Sequence, residues 1–269
     1  MSSPRGRRTS PAATGLLIVG VLVLIASAAI GGFALLDKDG GTAGATPPTT
    51  AVPTTAVPTT AAATPTPSPT AVPTFDQNGP GTYDYADGDG PVLGTAGSLR
   101  RFRVAVETGL PVPVDEFAAI IDVTLGDPRS WIAGGNVRLQ RVAGTATGTN
   151  FTVYLVTPGT ALKICNSAGI DIRVGGKPYT SCRVGGRVVI NVARYLTGIP
   201  NYGAPIEVYR QYAINHEVGH ALGHGHELCP GRGKLAPVMQ QQTLSMQGCL
   251  ANPWPYLDGK RYAGPAGHL

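Results

Sequence analysis

The chain has 269 residues, 42% hydrophobic and only 14% charged, which is enough apolar material to bury a sizeable core in one or two domains. Its formal charge of +5 is no sign of nucleic acid, because Arg5, Arg7 and Arg8 supply three of those charges from the extreme N-terminal tail. What remains is close to neutral and has no basic run interleaved with aromatics, so nucleic acid is not an expected partner.

Residues 15–36, from Gly15 to Leu36, carry no charge. A run of that length can cross a bilayer as a helix, which takes about 20 residues. The arginines of the basic tail, residues 1–14, precede it and Asp37 and Asp39 follow. The positive-inside rule then expects a cytoplasmic N-terminus, a single-pass anchor and an extracytoplasmic remainder. The alternative is secretion after signal cleavage, for which Ala26-Ser27-Ala28 offers small residues. A secretory apolar region is usually shorter, which favours the anchor.

Residues 37–81 are rich in Pro, Thr and Ala, with Ala-Val-Pro-Thr recurring at 51, 56 and 71. Such a composition cannot bury apolar surface, so a disordered, partly polyproline linker is expected, with threonines that could carry O-linked sugar. Asp84-Tyr85-Ala86-Asp87-Gly88-Asp89-Gly90 lacks the spacing and terminal glutamate of an EF-hand and reads as turns.

The folded domain is expected over residues 82–258, with a tail at 259–269. Alternation over Arg100–Val106 reads as a strand. Asp115 can cap a helix that places Phe117, Ile120, Ile121, Thr124 and Leu125 on one side, ended by Gly126-Asp127-Pro128. Val137–Val142 and Phe151–Val156 read as strands, Ile170–Val174 as a short one, and Arg187–Val192 as one more deeply buried in its sheet. Periodicity alone gives an α+β fold.

All four cysteines, Cys165, Cys182, Cys229 and Cys249, fall after the linker, where disulfides persist outside the cell. Three pairings are possible. The local one, Cys165–Cys182 with Cys229–Cys249, closes modest loops and is preferred. The absence of a C-x-x-C spacing argues against a thiolate metal or redox site.

Four of the five histidines lie in His216-Glu217-Val218-Gly219-His220-Ala221-Leu222-Gly223-His224-Gly225-His226. Proline at 205 suits the start of a helix running to about Leu222. Val208, Tyr212, Val218, Ala221 and Leu222 are expected opposite the histidine face. Side chains four apart on a helix lie one above the other, so His216 and His220 can address one metal ion. Glu217 is rotated by about 100° and can reach a water held there. Gly223 can adopt the left-handed backbone that ends a helix, letting the chain return with His226 as a third ligand. His224 is the rival third ligand. His268, in the tail, reads as an ordinary surface residue.

This H-E-x-x-H-x-x-G-x-x-H motif, followed by Pro237-Val238-Met239-Gln240, resembles the metzincin clan of zinc endopeptidases. More narrowly, Tyr209-Arg210-Gln211-Tyr212 through His226, with Cys229-Pro230-Gly231 and Pro237-Val238-Met239, is similar to a family of uncharacterised actinobacterial secreted or membrane-anchored domains. The resemblance spans roughly residues 97–258. It implies a twisted mixed sheet, a long active-site helix and a small C-terminal subdomain holding a methionine turn at Met239. It also implies Zn2+ on His216, His220 and His226, with Glu217 as the catalytic base that activates a zinc-bound water to hydrolyse peptide bonds. The protein would then be an extracytoplasmic zinc endopeptidase acting on a protein or peptide substrate, with possible cell-wall association. A non-catalytic, zinc-stabilised surface binding module is the alternative, and a peptidoglycan amidase a third reading. Many metzincins carry a tyrosine beside the turn methionine, and this chain does not; Tyr256 is the nearest candidate to replace it.

Overall fold

The computed structural model describes residues 74–269 of the chain. The segment expected to be an anchor, residues 15–36, and most of the expected linker lie outside them. Among the described residues, no helix is long and apolar enough to cross a membrane.

Among the described residues, eleven strands and four helices follow one another. They are β1 (Tyr83–Tyr85), β2 (Val92–Leu93), β3 (Ser98–Glu107), α1 (Val114–Gly126), β4 (Val137–Arg141), β5 (Phe151–Val156), α2 (Pro158–Asn166), β6 (Arg173–Val174), β7 (Lys177–Pro178), β8 (Cys182–Val184), β9 (Arg187–Asn191), α3 (Val192–Thr197), α4 (Ile206–Ala221), β10 (Tyr256–Leu257) and β11 (Lys260–Arg261). A short 3-10 turn, Trp131–Gly134, precedes β4.

Seven strands form one mixed sheet in the order β2-β4-β3-β5-β9-β8, with β1 beside the second half of β3. The centre, β4-β3-β5-β9, is parallel, whereas β1, β2 and β8 join antiparallel. Alternation sorts the side chains to two faces. Phe102, Val104 and Val106 of β3, Phe151, Val153 and Leu155 of β5, and Val188 and Ile190 of β9 share one core with Phe117 and Ile121 of α1 and with Tyr212, Ile214 and Val218 of α4. Val156, Val189 and Cys182 form a smaller core on the other face with Ala161, Ile164 and Cys165 of α2. The fold is thus α+β around a mixed sheet. The apolar run of β9 is explained by its position: it lies between β5 and β8, and Val188–Asn191 are buried.

Several local expectations change. Asp115 does not cap α1: Pro113 occupies that position without a side-chain bond, while Asp115 and Glu116 sit in the first turn, where they face the helix N-terminus favourably. Only Arg173–Val174 of the strand expected at 170–174 is extended, as one arm of a hairpin with β7. Helix α2 was legible but unread: Thr157 caps it by accepting from the Thr160 amide, and Pro158 opens the first turn. The stretch 84–90 is not all turn: Asp84 lies in β1, and past it Arg141 donates to the carbonyls of Asp87 and Gly88, while Asp89 accepts from the Ala143 amide.

The packed chain reaches back before residue 82. Phe75 packs on the main core, and the Gly79 amide donates to Thr157 Oγ1 at 2.9 Å. Glu107, fully buried at the end of β3, ties this segment to α2: it accepts from the amides of Gly81 and Thr157 and from Thr160 Oγ1 at 2.6–2.9 Å. Removing it orphans three buried or half-buried donors, so Glu107→Ala is expected to lower the unfolding free energy by about 3 kcal/mol or more. A urea midpoint unchanged from wild type would contradict this role.

Both local disulfides form, Cys165–Cys182 joining α2 to β8 and Cys229–Cys249 closing the loop that contains Met239. Their sequence separations are 17 and 20, for which loop closure alone contributes about 3 kcal/mol each.

Candidate metal centre

Helix α4 carries the centre, and its position is set from three sides. Asn215, fully buried, accepts from Ser130 Oγ at 2.8 Å and donates to the Pro253 carbonyl at 3.1 Å. Its own carbonyl accepts from the Trp131 indole at 2.9 Å. One turn before His216, Tyr212 lies against it, with ring centroids 5.4 Å apart, and donates to the Gln240 carbonyl. Tyr212 therefore belongs to the histidine side of the helix and not to the opposite face that the sequence predicts for it. Residues 212–219 are all buried, because the sheet, the 3-10 turn and the Met239 loop enclose this part of the helix together.

Gly219 explains itself through packing. A Cβ there would lie 2.5 Å from Met239 Sδ and 2.6 Å from the Trp131 ring, so the close approach is by these two side chains and no strand is involved. Gly219→Ala gains about 1 kcal/mol of helix propensity. The indole cannot yield, so overpacking prevails, and a net loss of about 1–2 kcal/mol is expected in thermal or chemical unfolding. A more stable alanine variant would show that the methionine and indole can move aside.

At the end of α4 the chain turns back at Gly223, whose φ of +98° suits glycine, and the His224 amide donates to the Gly219 carbonyl at 2.9 Å. His226 is thereby brought to His216 and His220. The three imidazoles each offer a nitrogen, all within 4.8 Å of one another, a group able to hold a metal ion. His224 is not part of it: its ring stacks on Trp131 with centroids 4.2 Å apart.

The tautomers follow from carbonyls, which can only accept. His216 Nδ1–H donates to the Val238 carbonyl at 2.8 Å, and His220 Nδ1–H donates to the His224 carbonyl at 2.9 Å. Each Nε2 is therefore left with a free lone pair, and that of His220 lies 3.0 Å from Nε2 of His226. Two ring nitrogens converging at that distance, with a third beside them, fit an ion that takes imidazole ligands. The loop below is positioned to support this: Met239 is fully buried, and its carbonyl accepts from the Glu227 amide, next to His226.

Electrostatics keep the imidazoles neutral. Burial, followed by the charge of His220, lowers His216 to about 3; burial and His220 likewise lower His226 to about 4. His220 is lowered as well, chiefly by burial. Neutral imidazole is the form that binds metal. Glu217 is also buried, which raises its carboxyl to about 8, and its Oε2 has no hydrogen-bond partner. All four side chains line an open cleft of about 560 Å³.

Tyr256 does not line that cleft. Its hydroxyl reaches Gly134, and its amide donates to the Arg129 carbonyl. This region packs on the domain instead, with Arg129 over the buried Trp254 ring. Trp131 and Asn215 escaped the sequence reading, since neither residue type signals a role until the 3-10 turn is placed against α4.

Fold and site together define an α+β protein with a three-histidine centre able to hold a metal ion, beside a buried glutamate at an open cleft. A family model described as a protein of unknown function, DUF3152, matches residues 69–252. The chain belongs to that family. The match includes the segment from Phe75 to Gly81 that packs on the domain. No curated protein and no solved structure matches the chain.

Proposed function

We propose that the protein is a zinc-dependent endopeptidase of metzincin-like design. The observation that carries this reading is the pairing of three convergent imidazoles with Glu217, a buried carboxylate whose Oε2 is unpartnered at the same cleft. A purely structural metal site has no use for such a group. His216, His220 and His226 would hold the ion, and three protein ligands leave a position open, as in catalytic zinc sites. When bound there, zinc supplies Lewis acidity, lowering the pKa of water to about 7 and polarising a carbonyl.

The chain's own residues do the rest. Glu217 takes a proton from the attacking water and returns it to the leaving amine, and burial raises its affinity for that proton into the neutral range. Carbonyls of Val238 and His224 orient the imidazoles, and the Met239 loop and Trp131 hold α4 from below. The two disulfides support an extracytoplasmic address, as does the uncharged segment 15–36 in the sequence.

The test is metal analysis of the purified chain together with hydrolysis of unfolded casein, with and without a zinc chelator. Stoichiometric zinc and chelator-sensitive cleavage are expected. Zinc without cleavage of any substrate in a broad peptide set would move the assignment to a zinc-stabilised binding module, and release of sugar-linked peptides from purified wall to an amidase.

A further inference from the structure

The charged side chains lining the cleft, apart from the histidines, are Asp171, Arg173, Arg183 and Glu217. Asp171 and Arg173 cancel each other: Arg173 donates to both carboxylate oxygens at 2.9 Å. Arg183 has no such partner. Among the described residues it makes no ion pair and no side-chain hydrogen bond, and its Nε is buried without a partner. Glu217 lines the same cleft but forms no ion pair with it, and its own Oε2 is unpartnered.

Strand geometry shows where Arg183 points. In β8, Cys182 and Val184 face α2 and its small core. Alternation turns Arg183 to the opposite face, and its register partner on β9, Val188, belongs to the core beneath α4. Arg183 thus stands on the α4 side of the sheet's edge strand, where it lines the cleft together with His216, Glu217 and His220. A guanidinium remains charged at every relevant pH and offers five donors in a planar fork suited to a carboxylate. Leaving it unpaired in a half-buried wall is costly unless a ligand completes it.

We infer that Arg183 receives a carboxylate of the peptide bound in the cleft, so that the site selects an acidic side chain or a free C-terminal carboxylate near the bond that is cut. This inference rests on the peptidase reading for the identity of the ligand, a peptide, and assigns Arg183 to specificity; Glu217 and the histidines keep the chemistry. Hydrogen bonds to a charged group of this kind correspond to about 10- to 100-fold in affinity.

The experiment uses the full chain, both metal-free and zinc-loaded, and four sets of peptides. One set carries Asp or Glu with an amidated C-terminus, a second the matching Asn or Gln peptides, a third neutral peptides with a free C-terminus, and a fourth the same peptides amidated. Affinities are measured by calorimetry on both forms, and cleavage on the zinc-loaded form. The expected result is a preference of at least about 10-fold for one acidic set over its neutral isostere. Arg183→Gln should abolish it without weakening the neutral peptides, and Arg183→Lys should keep part of it. Whichever acidic set shows the preference identifies the source of the carboxylate. Equal affinity of acidic and neutral peptides for the wild-type chain, or an undiminished preference in Arg183→Gln, overturns the inference. Arg183-dependent acidic binding to a zinc-loaded chain that cleaves nothing would support the inference and reject the peptidase instead.

Discussion

Glu217→Gln is expected to keep full zinc occupancy and to lose hydrolysis by about 100- to 10,000-fold, the usual contribution of a positioned general base. Glutamine fills the same volume and removes none of the metal ligands, so zinc content separates a lost base from a lost site. Wild-type rates in a zinc-loaded Glu217→Gln protein would reject the mechanism. The same substitution has a second readout in the metal-free protein. The carboxyl titrates near 8 in the fold, against an ordinary value of 4.5. Between those values the folded chain holds a proton that the unfolded chain has released, so wild-type stability falls as pH rises from about 4.5 and levels off above about 8. Glutamine cannot ionise. Metal-free Glu217→Gln should therefore exceed wild type in stability by a margin that grows across this window and reaches a few kcal/mol. Parallel stability profiles for the two proteins would show that the carboxylate is not desolvated.

His220→Ala is expected to lose both zinc and hydrolysis. It removes one of three nitrogens, and the two that remain on His216 and His226 are too few to hold the ion tightly. The loss of affinity should exceed the 10- to 100-fold typical of removing an outer hydrogen-bond partner of a ligand. A His220→Ala chain that retains wild-type zinc would mean that His224 or another side chain can take its place. Acid supplies an independent check. His216 near 3 and His226 near 4 lie well below the ordinary 6.5, so in the metal-free protein the unfolded chain binds more protons than the folded one as pH falls below 6.5. The stability these neutral imidazoles allow is therefore complete above 6.5 and is lost as pH falls toward 3–4. Each missing proton steepens the loss by about 1.4 kcal/mol per pH unit. Acid should release zinc together with unfolding and not before it. Zinc release near pH 6 from a chain whose circular dichroism is unchanged would contradict the low imidazole pKa values.

Much of this was legible before any coordinates. His216 and His220 had to share a helix face once Pro205 and Gly223 bounded that helix, and the glycine's positive φ sends His226 back. Alternation located β3, strand-like runs located β4 and β5, a continuous apolar run located β9, and loop length favoured the disulfide pairing that forms. What was missed has common causes. Helix α2 is only nine residues long and is signalled by its cap more than by its period. Asp115 was assigned a capping role that Pro113 holds, because acidic residues serve both the cap and the first turn. Tyr212 was put on the wrong side because the helix is enclosed almost all round, and periodicity cannot orient a helix without a polar face.

The sequence by itself determined the chemistry on offer: which imidazoles can converge, which carboxylate accompanies them, and which compartment suits the cysteines. These depend on spacing within a few turns of one chain. Only the tertiary structure decided the environment of that chemistry. Trp131 and Met239, distant in sequence from each other, meet at Gly219; Asn215 is gripped from residues 130 and 253; and Arg183 is left without a counter-ion beside the histidines. The physical reason is that burial, pairing and desolvation are properties of what surrounds a side chain, and those neighbours are brought together by the sheet and the loops, not by local spacing.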